Sequence, residues 1–133
     1  MRKYVHQQTA ILLRRLATHV TRAARSPDPD AVHDLRVAIR RLSRCLRVFA
    51  QFYPGNGWKK MRRRLKDLMD ACARVRDRDI ALDLLAKGGF PATSIVLRRL
   101  RLDRAQASQE LLVLLRRWKQ RGAAAKWRAQ LGI

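Results

Sequence analysis

The chain has 133 residues, enough for one domain with a buried core. Its 31 Lys and Arg residues against 10 Asp and Glu residues give a formal net charge of +21, which predicts a polyanionic partner and salt-sensitive binding. Apolar residues make up 47% and recur at helical spacing, which disfavours disorder. With no apolar run of membrane-spanning length and no signal-peptide pattern, the chain is expected to be soluble and cytoplasmic, with no membrane contact.

The first two helices are separated by a clear break. Leu13, Leu16 and Val20 form an apolar stripe that predicts a helix over 4–25. The segment SPDPD at 26–30 ends this helix, and Asp28 followed by Pro29 is typical of the start of the next one. The second helix is expected to end at the PGNG segment, 54–57. Its apolar seam consists of Val32, Leu35, Ile39, Leu42, Leu46, Phe49 and Tyr53.

Two further helices follow. The third is expected to be capped again at Asp79, with a short continuation through Leu85, and to end at KGGFP, 87–91. The fourth is predicted from about 93 to 121 and ends at Gly122, and the Ala-rich tail after it is at best a weak helix. The two seams are Met61, Leu65, Leu68, Cys72 and Val75, then Leu97, Leu100, Ala107, Leu111, Leu114 and Trp118.

This pattern predicts an all-α fold with one domain over 1–133. Four amphipathic helices with short connections and no strand pattern favour an antiparallel four-helix bundle. Cys45 and Cys72 each lie in an apolar stripe, without a second cysteine or a histidine at metal-ligand spacing. Both are therefore expected to be buried free thiols.

Basic side chains lie beside the apolar seams of the second and third helices. Charges on a solvated outer face are the ordinary explanation. However, like charges three and four residues apart repel each other, and matching Glu partners are absent, which favours a binding surface. At about 100° per residue, one basic wall would include His33, Arg36, Arg40, Arg44 and Arg47, with Arg41 on the far flank, and Lys59, Arg62, Arg63 and Lys66.

No motif indicates catalysis. Asp70, Asp77 and Asp79 lie near arginines in the sequence, and ion pairing that orients those arginines is their expected role. No free carboxylate cluster, phosphate-binding glycine loop, nucleophile elbow or zinc signature is present. The sequence therefore predicts a protein that is not an enzyme and uses neither a metal nor a cofactor.

Two segments carry a family resemblance. The second helix contains VHDLRVAIRRL at 32–42 and LRVF at 46–49, and the third contains LK at 65–66 and VRDRDI at 75–80. In this order they resemble the two signatures of the CHAD family, the conserved histidine α-helical domain. The resemblance implies an all-helical fold, recognition of inorganic polyphosphate and association with polyphosphate granules. The basic positions that it implies are His33, Arg36, Arg40, Arg41, Arg47, Lys66 and Arg76, with Asp77 fixing an arginine.

Two departures from the family pattern have consequences. Ser43 stands where relatives commonly have an arginine. Members of the family usually contain two similar helical halves, and this chain has the length of one half. It is then either a fragment or, as we favour, a homodimer whose second copy supplies the other half. The apolar residues expected to cover the flank left exposed are Leu112, Leu115, Trp127 and Leu131.

Three functions remain open at this stage. The favoured one is non-catalytic binding of polyphosphate by the basic residues above, together with Arg44, Lys59, Arg62 and Arg63. Nucleic-acid binding is supported by the same charge. It is less favoured because Phe49, Tyr53 and Trp58 lie near apolar seams rather than among the basic residues. The third is a subunit that tethers polyphosphate for a separate catalytic partner.

Overall fold

Five α-helices and one 3-10 turn make up the structure. The computed structural model describes residues 1–133, and the all-α prediction is confirmed. The prediction of four helices is wrong, because the C-terminal segment forms a fifth. None of the helices combines the length and apolar character that a membrane-crossing segment needs. The helices are α1 (Arg2–Arg25), α2 (Pro29–Val48), α3 (Gly57–Lys87), α4 (Ile95–Gln120) and α5 (Ala123–Leu131), and the 3-10 turn is Ala50–Phe52.

The first four helices surround one core. α1 packs against α2 and α4, and α3 packs against the same two helices on the opposite side. The seams meet in the centre, where Leu16, Leu35, Leu42, Leu65 and Leu111 are fully buried. The expected break between α1 and α2 is confirmed: the Asp28 carboxylate accepts a hydrogen bond of 2.8 Å from the Ala31 N–H at the start of α2.

α2 ends earlier than its apolar seam predicts. α2 ends at Val48, and Tyr53 has an extended backbone after the 3-10 turn. The Tyr53 side chain is still buried, and its hydroxyl lies 2.7 Å from the Thr9 hydroxyl of α1. The seam therefore correctly predicts that Tyr53 is buried. Tyr53 lies outside α2, however, and its burial results from packing against α1.

α3 and α4 extend beyond the other helices as an arm. α3 is continuous through Asp79, so the expected cap at this residue is wrong. The Asp79 carboxylate instead accepts a hydrogen bond of 2.8 Å from Arg104 Nε of α4. Eight further residues carry α3 about 12 Å past this contact. In the arm, 80–103, Leu97 is buried, whereas Leu84 and Ile95 are strongly exposed.

α5 closes the opposite end of the bundle. Trp127 packs edge-on against Trp118 of α4, with the ring centroids 5.5 Å apart, and Leu131 is also buried. The expectation of a weak helical tail is therefore wrong, because the tail completes the core. Leu112 and Leu115 are buried as well, so the four apolar residues expected to cover an exposed flank already lie inside this chain.

Candidate functional site: a cationic groove between α2 and α3

An open groove of about 650 Å³ lies between α2 and α3. The floor is apolar: Ile39 and Leu65 are buried, and Trp58 and Met69 are partly buried against the core. Both walls are basic. The cationic side chains that line the groove are Arg40, Arg44 and Arg47 of α2, and Lys59, Arg62, Arg63 and Lys66 of α3.

Two of the groove cations have acceptors within the chain. Lys66 pairs with Asp70 at 3.0 Å on the exposed face of α3, a geometry that stabilises the fold by at most about 0.5 kcal/mol. Arg62 Nε donates a hydrogen bond of 3.2 Å to Ser43 Oγ. The other five cations make no ion pair or side-chain hydrogen bond, and no carboxylate lines the groove. Their mutual repulsion is therefore not offset by neighbouring acids.

Ser43 connects the two walls. It occupies the position where the resemblance implied another arginine, and its hydroxyl is the acceptor for the Arg62 guanidinium across the groove. One further cation at this position would have repelled Arg62. The serine instead fixes the direction in which Arg62 projects, with its terminal nitrogens left free to donate.

Trp58 occupies a position that the sequence did not fully define. Core packing was the expected use of this side chain, and Trp58 does contact the core. It also lines the groove, with the Lys59 ammonium 5.7 Å from its ring centroid. The groove therefore contains one aromatic surface beside its basic walls.

Four of the eleven predicted site residues lie outside this groove. His33 and Arg41 line a separate cleft on the other flank of α2, facing α1. His33 therefore lines a different cleft from Arg40 and Arg44, although helical spacing places it within about 20° of both around α2. His33 lies one turn before Val37, on the side of α2 that meets α1.

Arg36 and Arg76 are partly buried and lie toward the far end of the helix pair. Arg36 Nε is enclosed without a hydrogen-bond partner. It is close to Cys72. Burial raises the pKa of the Cys72 thiol to about 12, and the positive charge of Arg36 acts in the opposite direction. Arg76 is ten residues beyond Lys66, about 15 Å along α3. Helical spacing therefore places Arg36 one turn from Arg40 and Arg76 well beyond the groove, and neither side chain lines it.

Some acidic side chains act differently from their expected roles. Asp77 forms no ion pair, so the implied role of fixing an arginine is wrong for this residue. Asp79 does fix an arginine, but it is Arg104 of α4, whose guanidinium also donates to the Pro27 carbonyl at 2.7 Å. Both cysteines are free and buried, as predicted. No group of three or more His, Cys, Asp or Glu side chains is arranged to hold a metal ion.

The fold and the groove define an all-helical domain with a strongly cationic open surface. The CHAD domain model matches residues 7–132, and the chain belongs to this family. The match extends beyond the two signature helices and includes most of α1 and all of α4 and α5. Searches of the curated proteins and of the solved structures found no significant match to this chain.

Proposed function

We propose that this chain binds inorganic polyphosphate, without catalysis, in the groove between α2 and α3. One observation carries the proposal: seven Arg and Lys side chains line one groove, and no carboxylate lines it. Membership of the CHAD family supports it, because the resemblance to that family implies polyphosphate recognition.

The chemistry of the groove suits a repetitive phosphate chain. A guanidinium can bind two phosphate oxygens at once, and Arg40, Arg44 and Arg47 recur along α2 at intervals of one helical turn. Each phosphate of such a chain carries the same charge, so binding requires no side chain that distinguishes one unit from the next. Release of counterions from the polyanion supplies much of the free energy.

Nucleic acid is the alternative ligand. Trp58 favours it, because an aromatic ring beside basic walls could stack against a base. The ring is partly buried in the core, however, and it is the one aromatic side chain that lines the groove. Polyphosphate uses all of the cations and does not require the ring.

Competition distinguishes the two ligands. A labelled single-stranded DNA is bound to the protein at fixed salt and then displaced by polyphosphate at equal phosphate concentration. We expect displacement well below equivalence, and Trp58→Leu should leave polyphosphate affinity nearly unchanged. Stronger retention of DNA than of polyphosphate, together with a large loss of DNA binding in Trp58→Leu, would favour the nucleic-acid function.

Charge reversal tests the location of the site. Arg40→Glu should weaken polyphosphate binding more than Arg128→Glu, because Arg128 is exposed on α5 outside the groove. Arg104, although also basic, is unsuitable as a control because its ion pair holds the arm in place. Equal losses in both variants would mean that net charge alone drives binding.

The absence of catalysis is part of the proposal. The carboxylates nearest the groove include Asp70, which is paired with Lys66, and the groove surface itself has none to hold a metal. Purified protein with Mg²⁺ or Mn²⁺ should release no phosphate from polyphosphate. Release that a single Asp substitution abolishes would contradict this. A role in tethering polyphosphate for a separate enzyme, in the cytoplasm or at polyphosphate granules, is compatible with the same groove.

We also propose that the chain is one half of a two-part CHAD arrangement and that two copies form the functional unit. The apolar residues that the sequence suggests for this contact are buried, but the arm exposes others. Leu84 is 64% exposed, Ile95 83% and Leu102 69%. A second copy that packs on the arm would remove these side chains from water.

A further inference from the structure

A second basic cleft, of about 440 Å³, lies between α1 and α2 on the opposite flank of α2 from the groove. Its basic side chains are Arg15 and His19 of α1, and His33 and Arg41 of α2. The one carboxylate in the cleft, Asp34, is held by Arg22 at 2.6 Å. The acid is therefore already neutralised, and the field of the cleft remains positive.

The lining of this cleft is not satisfied within the chain. Arg15, Arg41 and His33 are exposed and make no ion pair or side-chain hydrogen bond. The Nδ1 atom of His19 is buried without a hydrogen-bond partner, which is rare for a polar atom in a folded protein. Nothing in the structure therefore uses the hydrogen-bonding capacity of these four side chains.

The two clefts are joined over the outer face of α2. Arg40 lines the groove toward α3, and the next residue, Arg41, lines the cleft toward α1. Consecutive residues of a helix project about 100° apart, so this pair spans the crest of the helix. Arg44, one turn further on, is exposed beside them. Cationic side chains thus continue from one cleft to the other without an intervening acid.

We propose that a single polyphosphate chain crosses α2 and occupies both clefts, so that the site favours long chains over short ones. This inference rests on the function proposed above and adds to it a recognition element on α1, formed by Arg15 and His19. An α-helix with its side chains is about 10–12 Å across, so a chain must be longer than this crossing to reach both sides. A short oligophosphate fills one cleft only.

Binding to both clefts raises the affinity for a long chain, because the two weak sites are linked by the ligand itself. When one part of a chain is bound in the groove, the remainder is held near the α1–α2 cleft at high effective concentration. The second contact then adds affinity without a second loss of translational freedom. Tripolyphosphate gains nothing from this effect, because it does not span the helix.

The test compares two ligands and three double variants. Tripolyphosphate and a long polyphosphate are titrated into the wild type, into Arg15→Ala with Arg41→Ala, and into the matched control Arg116→Ala with Arg117→Ala on α4. A third variant, Arg40→Ala with Arg44→Ala, reports on the groove and on the crest of α2. All of the substituted residues are exposed, so the fold should be retained, which circular dichroism would verify.

We expect the α1–α2 cleft variant to lose about tenfold or more in affinity for the long chain and less than about twofold for tripolyphosphate. The α4 control should lose little for either ligand. Equal losses for both ligands in the cleft variant, or losses for the long chain no larger than those of the control, would overturn the inference. If the wild type binds neither ligand, or if Arg40→Ala with Arg44→Ala changes neither affinity, the proposed function itself fails.

Discussion

Arg44 and Arg104 carry the same guanidinium but have different surroundings. Arg104 is largely enclosed and contacts a carboxylate, a hydroxyl and a backbone carbonyl. Arg44 is exposed and has no partner in the chain. The hydrogen bonds of Arg104 stabilise the fold. The guanidinium of Arg44 is free to donate its hydrogen bonds to a ligand. Sequence alone, which shows only the residue type and its helix position, does not distinguish the two.

This difference predicts a change in salt dependence. Arg44→Ala should lower the slope of log affinity against log salt for polyphosphate by about one unit, because binding of the variant neutralises one phosphate fewer and releases correspondingly fewer counterions. Arg116→Ala, on the exposed face of α4, should leave the slope within error of the wild type. Titrations at four or more salt concentrations measure both. An unchanged slope for Arg44→Ala would remove this arginine from the site.

Cys72 predicts a dependence of stability on alkaline pH. Its side chain is fully buried, and burial raises the pKa of the thiol from the reference value of 9.0 to about 12. The folded state therefore holds this proton more tightly than the unfolded state. The stabilisation is complete below pH 9 and is lost as the pH rises toward 12, at up to about 1.4 kcal/mol per pH unit.

Comparison with Cys72→Ala isolates this contribution from other groups that titrate in the same range. The substitution creates a small cavity whose cost does not depend on pH, so the stability difference between wild type and variant should shrink as the pH rises above 9. Urea unfolding between pH 8 and pH 10.5 measures it. A constant difference would mean that the thiol has a similar pKa in the folded and unfolded states.

Single residues with local roles were the most predictable from the sequence. The Asp28 cap depends on an amide three residues away, and the seam residues depend on helical spacing, so both are encoded locally. Asp79 also resembles a cap, yet its partner Arg104 is 25 residues further along the chain. Helical spacing places His33 close in angle to Arg40, but the packing of α1 and α3 along α2 decides which cleft each side chain lines, and His33 lines the one toward α1.

At the scale of elements, α5 differs most from the sequence prediction, which expects at best a weak helix here. An isolated helix of nine residues is marginal in water, and the Ala-rich sequence offers only a few apolar positions. Its stability comes from the contact of Trp127 with Trp118 and from the burial of Leu131. These contacts involve residues that no local pattern links, which is why the helix was expected to be weak.

Removal of the Trp127 side chain should therefore destabilise the whole bundle. Trp127→Ala should lower the free energy of unfolding by about 3–5 kcal/mol, the range for loss of a buried aromatic side chain. Arg128→Ala, the next residue along α5 and exposed, should change it by less than about 0.5 kcal/mol. Urea denaturation followed by circular dichroism compares the two. Similar small changes in both variants would show that α5 does not complete the core.

The arm formed by α3 and α4 depends on the contact between Asp79 and Arg104. The Asp79 side chain is 16% exposed and that of Arg104 23%, so removal of the arginine would leave a carboxylate with little solvent. Arg104→Ala should reduce stability by about 2–3 kcal/mol. Arg98→Ala, exposed on the same helix, is the control. Asp79→Ala with Arg104→Ala should cost less than the sum of the single changes, and strict additivity would argue against a direct interaction.

At the scale of the whole molecule, charge and apolar surface are distributed unevenly. The cationic groove lies toward the end of the bundle that α5 closes, where Trp127 and Leu131 of α5 are buried. The arm at the other end is flanked by basic residues such as Arg98 and exposes Leu84, Phe90 and Ile95. A monomer with a net charge of +21 therefore combines an apolar arm that favours association with a field that opposes it.

These opposing terms predict that a polyanion controls assembly. Two copies repel each other at low salt, and a polyphosphate chain that neutralises both basic surfaces removes that repulsion and binds preferentially to the paired state. Light scattering across a concentration series should therefore show dimers at lower protein concentration when polyphosphate is present. Leu84→Asp with Ile95→Asp should abolish dimers while leaving the groove intact, whereas Val48→Asp, an exposed apolar residue at the end of α2, should leave them unchanged. A wild type that remains monomeric at high micromolar concentration, with and without polyphosphate, would leave the single chain as the binding unit.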